Sequence, residues 1–194
     1  MRRVFLSALA LGASLLALCA CGAGDGDRIA SLLTTGLTSQ DPRVVCEGSL
    51  SPGLLTQIYG SATKCHDVES EPAERISQAQ SVEVHRVRID GAGAKATATV
   101  VIHGGSHDGA RGELALRRQL AGWRVTDLSV PLLRSQFEAS IRRMQSIDAS
   151  MKACVTLKMR ALRDREFKRL AYGADADART QLDAVAHRCQ SLIA

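Results

Sequence analysis

Hydrophobic positions along the chain change their period several times, and each change marks an element. Behind Met1-Arg2-Arg3 lies an unbroken apolar run from Val4 to Leu18. Further on, with Asp27 as N-cap, Ile29, Leu32, Leu33 and Leu37 recur at helical spacing and predict an amphipathic helix. Asp41-Pro42 and Ser51-Pro52 each join a capping side chain to a proline suited to a first helical turn. The first turns Val44, Val45 and Cys46 inward. The second opens a helix with Leu54, Leu55, Ile58 and Tyr59 apolar, which Gly60-Ser61 ends. A further turn of helix is expected around residues 71–76.

The period then becomes two. Residues 81–90, 94–103, 111–120 and 123–128 read as strands, joined at Gly91-Ala92-Gly93, at the loop of residues 104–109 and at Ala121-Gly122. In the second strand Ala96, Ala98, Val100 and Ile102 alternate with Thr97, Thr99 and Val101, so one face of the sheet is apolar. After residue 130 the helical period returns in three stripes: Leu133, Phe137, Ile141 and Met144; Met151, Cys154, Leu157 and Ala161; Leu182, Val185, Cys189 and Ile193. Asp164-Arg165-Glu166-Phe167 suggests a short capped helix between the last two. Helices, an antiparallel meander, then helices again is an α+β layout.

The apolar run at the start is shorter than the roughly 20 residues a spanning helix prefers, and its basic flank matches an export signal. Leu18-Cys19-Ala20-Cys21 resembles the bacterial lipobox, which implies cleavage before Cys21 and acylation of that cysteine with palmitate-type chains. With Cys19 as acceptor, bulky Leu18 would stand before the cut, so Cys21 is the expected site. Arg2-Arg3-Val4-Phe5-Leu6 also resembles the twin-arginine export motif but has a shorter basic stretch, so general secretory export is expected. Residues 1–20 are thus expected to be a signal peptide and residues 21–27 a flexible tether rich in glycine. Residues 28–130 form the helix-and-sheet domain and residues 131–194 a C-terminal helical segment.

Composition narrows the function. Hydrophobic content is 45%, yet aromatic residues make up only 3%, so stacking platforms for bases or sugars are scarce. Together with export, this argues against nucleic acid as a partner. Charge is uneven: residues 22–130 sum to about −2 and residues 131–194 to about +5. The basic side chains Arg142, Arg143, Lys152, Lys158, Arg160, Arg163, Arg165, Lys168 and Arg169 are spaced around helices, as on a solvated surface, and are also the candidate contact to anionic headgroups.

Of six cysteines, Cys21 is assigned to lipid and Cys19 to the signal. The remaining four read as disulfides in an oxidising compartment, with three possible connectivities. Cys46–Cys65 and Cys154–Cys189 are favoured, because each pair stays within one segment and closes a short loop. A zinc site is disfavoured, since no CxxC pair exists and His187 is the only histidine near the C-terminal cysteines. No metal or other cofactor is expected.

The order of elements, the interval between Cys46 and Cys65, the valine-rich second strand and Gly122-Trp123-Arg124-Val125 on the last strand resemble the NTF2-like, cystatin-type α+β superfamily over about residues 25–130. More narrowly, the chain is similar to uncharacterised actinobacterial lipoproteins with that fold. The resemblance implies a curved four-stranded antiparallel sheet wrapped over helices, with a conical cavity that family members use for isomerisation, dehydration, ligand binding or dimerisation. Fold alone does not choose among these.

Catalytic candidates are thin. His103, His107 and Asp108 could approach a metal but sit in a glycine-rich loop without a rigid support. His85 and Asp90 could form an acid–base pair, yet alternation places them on opposite faces unless a bulge intervenes. Trp123 reads as a core plug. The expected role is therefore a non-enzymatic envelope module, anchored on the outer face of the membrane, whose sheet face or basic helices contact a protein partner or the membrane. A carrier or sensor for a small apolar ligand is the alternative, and an isomerase-like enzyme the third reading.

Overall fold

A computed structural model of the chain describes residues 24–72, 78–173 and 176–193. The signal peptide, Cys19, Cys21, the start of the tether and most of the turn expected at residues 71–76 lie outside the described residues.

Helix α1, Asp25–Thr38, begins before its expected cap. Gly24 is the N-cap, and Asp27, at the third helical position, accepts a hydrogen bond from Gly24 N at 3.2 Å. A carboxylate there satisfies an orphan amide and meets the positive end of the helix dipole, so the glycine-rich stretch folds into the helix instead of remaining a linker up to residue 27. Ile29 and Leu33 are buried, while Leu32 and Leu37 are partly buried against the same core.

After Asp41, whose Oδ1 accepts from Arg43 N, the chain widens into a π-helical turn, Val44–Ser49. Ser49 Oγ donates to Val44 O at 2.9 Å, and Cys46 is buried. Ser51 then caps α2, Pro52–Tyr59, by accepting from Leu54 N, and Gly60 at φ 83° releases the chain. A third helix, α3, Ala62–Ser70, was not visible in the hydrophobic pattern. It is the other half of the first disulfide: Cys46 and Cys65 are bonded across a Cα separation of 6.0 Å.

Strands β1 (Ser81–Ile89), β2 (Lys95–His103), β3 (Arg111–Gln119) and β4 (Gly122–Leu128) form one antiparallel sheet in the order β1-β2-β3-β4. Bulges interrupt the register at Val84/Arg86 and at Ala115/Leu116. The inner face carries Val82, Ala96, Ala98, Val100, Ile102, Leu114, Leu116, Trp123 and Val125, all buried. The β4 edge is partly closed by Leu50, which bridges Val125, with Ser51 N donating to Val125 O at 2.8 Å.

Four helices follow: α4 (Val130–Arg143), α5 (Ala149–Arg160), α6 (Asp164–Tyr172) and α7 (Ala176–Ile193). This C-terminal helical segment shares its core with the helix-and-sheet part of the chain. Leu132 and Leu133 of α4, Met159 of α5, Phe167, Leu170 and Tyr172 of α6 and Ala178 of α7 belong to the same apolar cluster as α1 and the sheet. The change of period at residue 130 is thus a change of secondary structure inside one core. In α5 the buried face is rotated from the expected stripe: Met159 is buried while Leu157 is 68% exposed. Arg134 fixes that rotation by donating to Met159 O and Leu162 O at 2.9 and 2.8 Å, which draws the end of α5 onto α4. Cys154 and Cys189 are bonded, joining α5 to α7. Val185 and Cys189 are buried as expected, while the side chain of Ile193 lies outside the described residues.

The tightest approach of helix to sheet is at Gly112, where a Cβ would stand 2.6 Å from Leu132 Cβ and 2.7 Å from its backbone. Gly112→Ala is expected to destabilise the protein by about 1–3 kcal/mol, because α4 must lift off the sheet. Gly91→Ala, with nothing within 4 Å of the added carbon, serves as the control and should leave the urea midpoint within a few tenths of a molar of the parent.

Candidate functional site

Helices close over the inner face of the sheet but do not fill it, and a cavity of about 280 Å³ remains. Its walls are apolar: Leu32, Leu33 and Leu37 from α1, Val45 and Leu50 from the π-helical turn and its exit, Ile58 from α2, Ile102, Leu114, Val125 and Leu128 from the sheet, and Leu133 from α4. These sheet residues, with His107 of the β2–β3 loop, place it at the end of the sheet opposite the β1–β2 and β3–β4 turns. The volume lies just below the roughly 300–1,000 Å³ typical of small-molecule sites.

Polar groups reach the cavity at a few points. Tyr59 Oη donates to Glu69 Oε1 at 2.5 Å, joining α2 to α3 at the rim. Tyr172 Oη donates to Asp127 Oδ1 at 2.7 Å and accepts from Leu128 N at 3.3 Å. Burial pushes the Tyr172 hydroxyl well above its ordinary range, and the Asp127 carboxylate adds to the effect. It is held as a neutral donor rather than a base. Burial alone would raise the Asp127 carboxyl, but hydrogen bonds from Lys168 and Tyr172, with the charge of Lys168, outweigh it and hold the group below the usual carboxylate range. Gln78 also lines the cavity, and its Oε1 is buried without a hydrogen-bond donor among the described residues. A buried acceptor left in that condition costs about 1–3 kcal/mol.

The catalytic candidates from the sequence do not converge. Asp108 Oδ1 accepts from Gly104 N and Oδ2 from Arg143 Nη2, which fastens the loop and holds its carboxyl below the ordinary value, Gly104 being the larger influence. His107 Nδ1 faces Ser140 Oγ at 3.0 Å, whereas His103 Nε2 lies 3.1 Å from Glu83 Oε1 on the β1–β2 pair. No cluster of three metal-ligating side chains occurs among the described residues. A bulge does fall at His85, but that side chain meets Glu83 Oε2 at 3.2 Å, whereas Asp90 Oδ1 accepts from Ala94 N and Lys95 N in the β1–β2 turn. Each is committed to its own neighbour. Trp123 is 5% exposed, with Nε1 donating to Asp25 Oδ1 at 3.4 Å, in keeping with a core plug.

Sequence reasoning missed Gln78, Glu69 and Tyr172 as cavity residues. No spacing pattern joins them, since they are contributed by the segment before β1, by α3 and by α6. The disulfide Cys46–Cys65 was the available signal, because it holds α3 beside the π-helical turn and so helps to fix the wall that carries Glu69.

Asp127 links stability to pH. Its folded-state pKa is depressed, so its contribution is complete above the unfolded value near 3.9 and disappears as pH falls through the folded value. Asp127→Asn is expected to cost about 1 kcal/mol at pH 7, discounted for partial exposure, and that difference should shrink as pH falls below the unfolded value and through the folded one in unfolding curves of the two proteins. No protein-family model, no curated protein and no solved structure matches the chain.

Proposed function

We propose that the protein is an exported, lipid-anchored binding module of the NTF2-like type, whose cavity holds a small, mostly apolar molecule bearing one hydrogen-bond donor. The observation that carries this reading is Gln78 Oε1, without a hydrogen-bond donor among the described residues, in a cavity walled mostly by leucine, isoleucine and valine, where Tyr59, Glu69 and Tyr172 are engaged with other groups. An apolar void gives shape selection, and a lone buried acceptor gives a ligand one orientation. The four-stranded antiparallel sheet, with helices over one face, supports the NTF2-like assignment. Two disulfides fit an oxidising, extracytoplasmic setting. No helix among the described residues is long and apolar enough to cross a membrane, so attachment falls to Cys21 in this reading. Of the two leading expectations from the sequence, the cavity favours the ligand carrier or sensor over a purely interacting module.

Native mass spectrometry of protein purified from its own host is expected to show a retained small molecule. Gln78→Leu should lower its occupancy about tenfold or more, yet slightly stabilise the empty protein by removing an unsatisfied acceptor. Leu37→Trp should abolish retention by filling the void. A parent protein that retains nothing, or a Gln78→Leu protein that binds as well as the parent, would defeat the reading. For the anchor, intact mass should show acyl chains on Cys21, and Cys21→Ser should shift the protein out of the membrane fraction or leave it unprocessed.

A further inference from the structure

The start of α1 is fastened to one end of the sheet. Asp25 Oδ1 accepts from Arg118 Nη2 at 2.7 Å and from Trp123 Nε1 at 3.4 Å, at the base of the β3–β4 turn. Four residue steps separate Cys21 from Asp25, so at most about 14 Å of chain lies between the expected acylation site and this point. Whatever holds Cys21 is therefore held close to the β3–β4 turn.

Two features of that end fit a membrane surface. Leu120, at the tip of the turn, is fully exposed, a placement that serves no packing purpose within the chain. On the outer face of the sheet, Lys95 of β2 stands opposite Arg117 of β3, and Arg117 opposite Arg124 of β4. Their inward neighbours Ala96, Leu116, Trp123 and Val125 are buried, which places all three cations on the uncovered side. Like charges directly opposite one another on adjacent strands repel. None of the three forms an ion pair among the described residues, whose ion pairs engage other groups; Lys95 does interact electrostatically with Asp90 of the β1–β2 turn. Arg88, also exposed, lines the same shallow depression as Lys95 and Arg117.

We propose that this end of the sheet docks on an anionic phospholipid surface, with Leu120 entering the interfacial layer and the row Lys95–Arg117–Arg124 against the headgroups. This docking rests on the lipid anchor proposed at Cys21, which supplies the proximity; the exposed leucine and the unpaired cations supply the complementarity. One acyl-bearing residue fixes distance but not orientation. A second contact, apolar and basic, fixes which face of the domain meets the bilayer.

The test uses the mature protein carrying Leu120→Trp, with acylation of Cys21 verified by mass, reconstituted into vesicles of brominated phospholipid. With about a third of the lipid anionic, emission from the added tryptophan is expected to be quenched at least twofold relative to unbrominated vesicles, while buried Trp123 of the parent protein changes little. Arg117→Glu combined with Arg124→Glu in the same protein should abolish most of that quenching, as should zwitterionic vesicles or high salt. Since Leu120 is exposed and the double reversal adds no like-charge pair, the 117–124 pair staying repulsive while Lys95 gains an opposite charge at position 117, loss of folding is not expected, and circular dichroism checks it. An acylated protein whose added tryptophan is unquenched overturns the docking and leaves the anchor standing. Equal quenching in anionic and zwitterionic vesicles overturns the basic contact. Absence of acyl chains overturns the anchor and the docking with it. A photoreactive residue at position 120 that captures a protein in intact cells, instead of lipid, assigns the surface to another partner and overturns the proposal.

Discussion

Much of this structure follows from one requirement, that a four-stranded sheet with a single apolar face must be covered. Ala96, Ala98 and Val100 of β2, with Leu114 and Leu116 of β3, form a strip that cannot stay in water, and α1 and α4 are the elements that pack on it. Small residues set how closely they sit. At Gly112 the first turn of α4 rests on the strand backbone, an approach that any side chain would prevent. Elsewhere the face is bordered by longer side chains, Ile102, Leu128 and Leu133, and the space they leave is closed by the π-helical turn, α2 and α6. The cavity is the remainder of that packing problem.

The legible parts of the fold were those with strong local physics. Period-two alternation identified β2, and the Ser51-Pro52 pair located the start of α2, since a capping hydroxyl followed by a residue with fixed φ leaves few alternatives. The disulfide partners were also accessible from segment membership. The parts that were not legible owe their form to distant contacts. Helix α3 buries only Cys65, so its pattern carries almost no amphipathic signal. The face of α5 turns on Arg134, a residue outside it. The start of α1 depends on Asp27 acting from inside the helix rather than ahead of it, and a carboxylate in a glycine-rich stretch reads equally well in both roles. For the cavity, individual leucines were recognised as core, but core and cavity wall have the same sequence signature.

Charge shows a similar separation between chain and surface. By segment, the acidic half and the basic half suggest a positive helical face. In the fold those halves meet where Arg143 reaches Asp108 and Lys168 reaches Asp127, while Arg160 is held by Glu138 within the basic half itself. Such partly exposed pairs contribute little to stability individually, but they neutralise part of the surface that segment counting marked as basic, at Arg143, Arg160 and Lys168. Positive charge without an ion pair among the described residues lies also on the outer side of the sheet, in the half of the chain whose sum is negative. Surface charge is a property of pairing, and pairing is set by tertiary contacts between segments.

Helix α1 connects the two ends of the molecule. Its first residue, Asp25, is bound at the β3–β4 turn, while Gly36 and Leu37 near its last turn line the cavity. Eleven or twelve residues of helix separate them, a rise of about 17 Å. With the tether side toward a bilayer, the cavity sits at the far end of the sheet beneath the β2–β3 loop. In the proposed orientation, a ligand held there would exchange with the aqueous space beyond the membrane and not with the acyl region around a lipidated Cys21. Such a placement would separate the proposed module from a lipid-extracting design, whose pocket must open onto the bilayer, since the ligand would be met in solution while the anchor held the domain to the membrane.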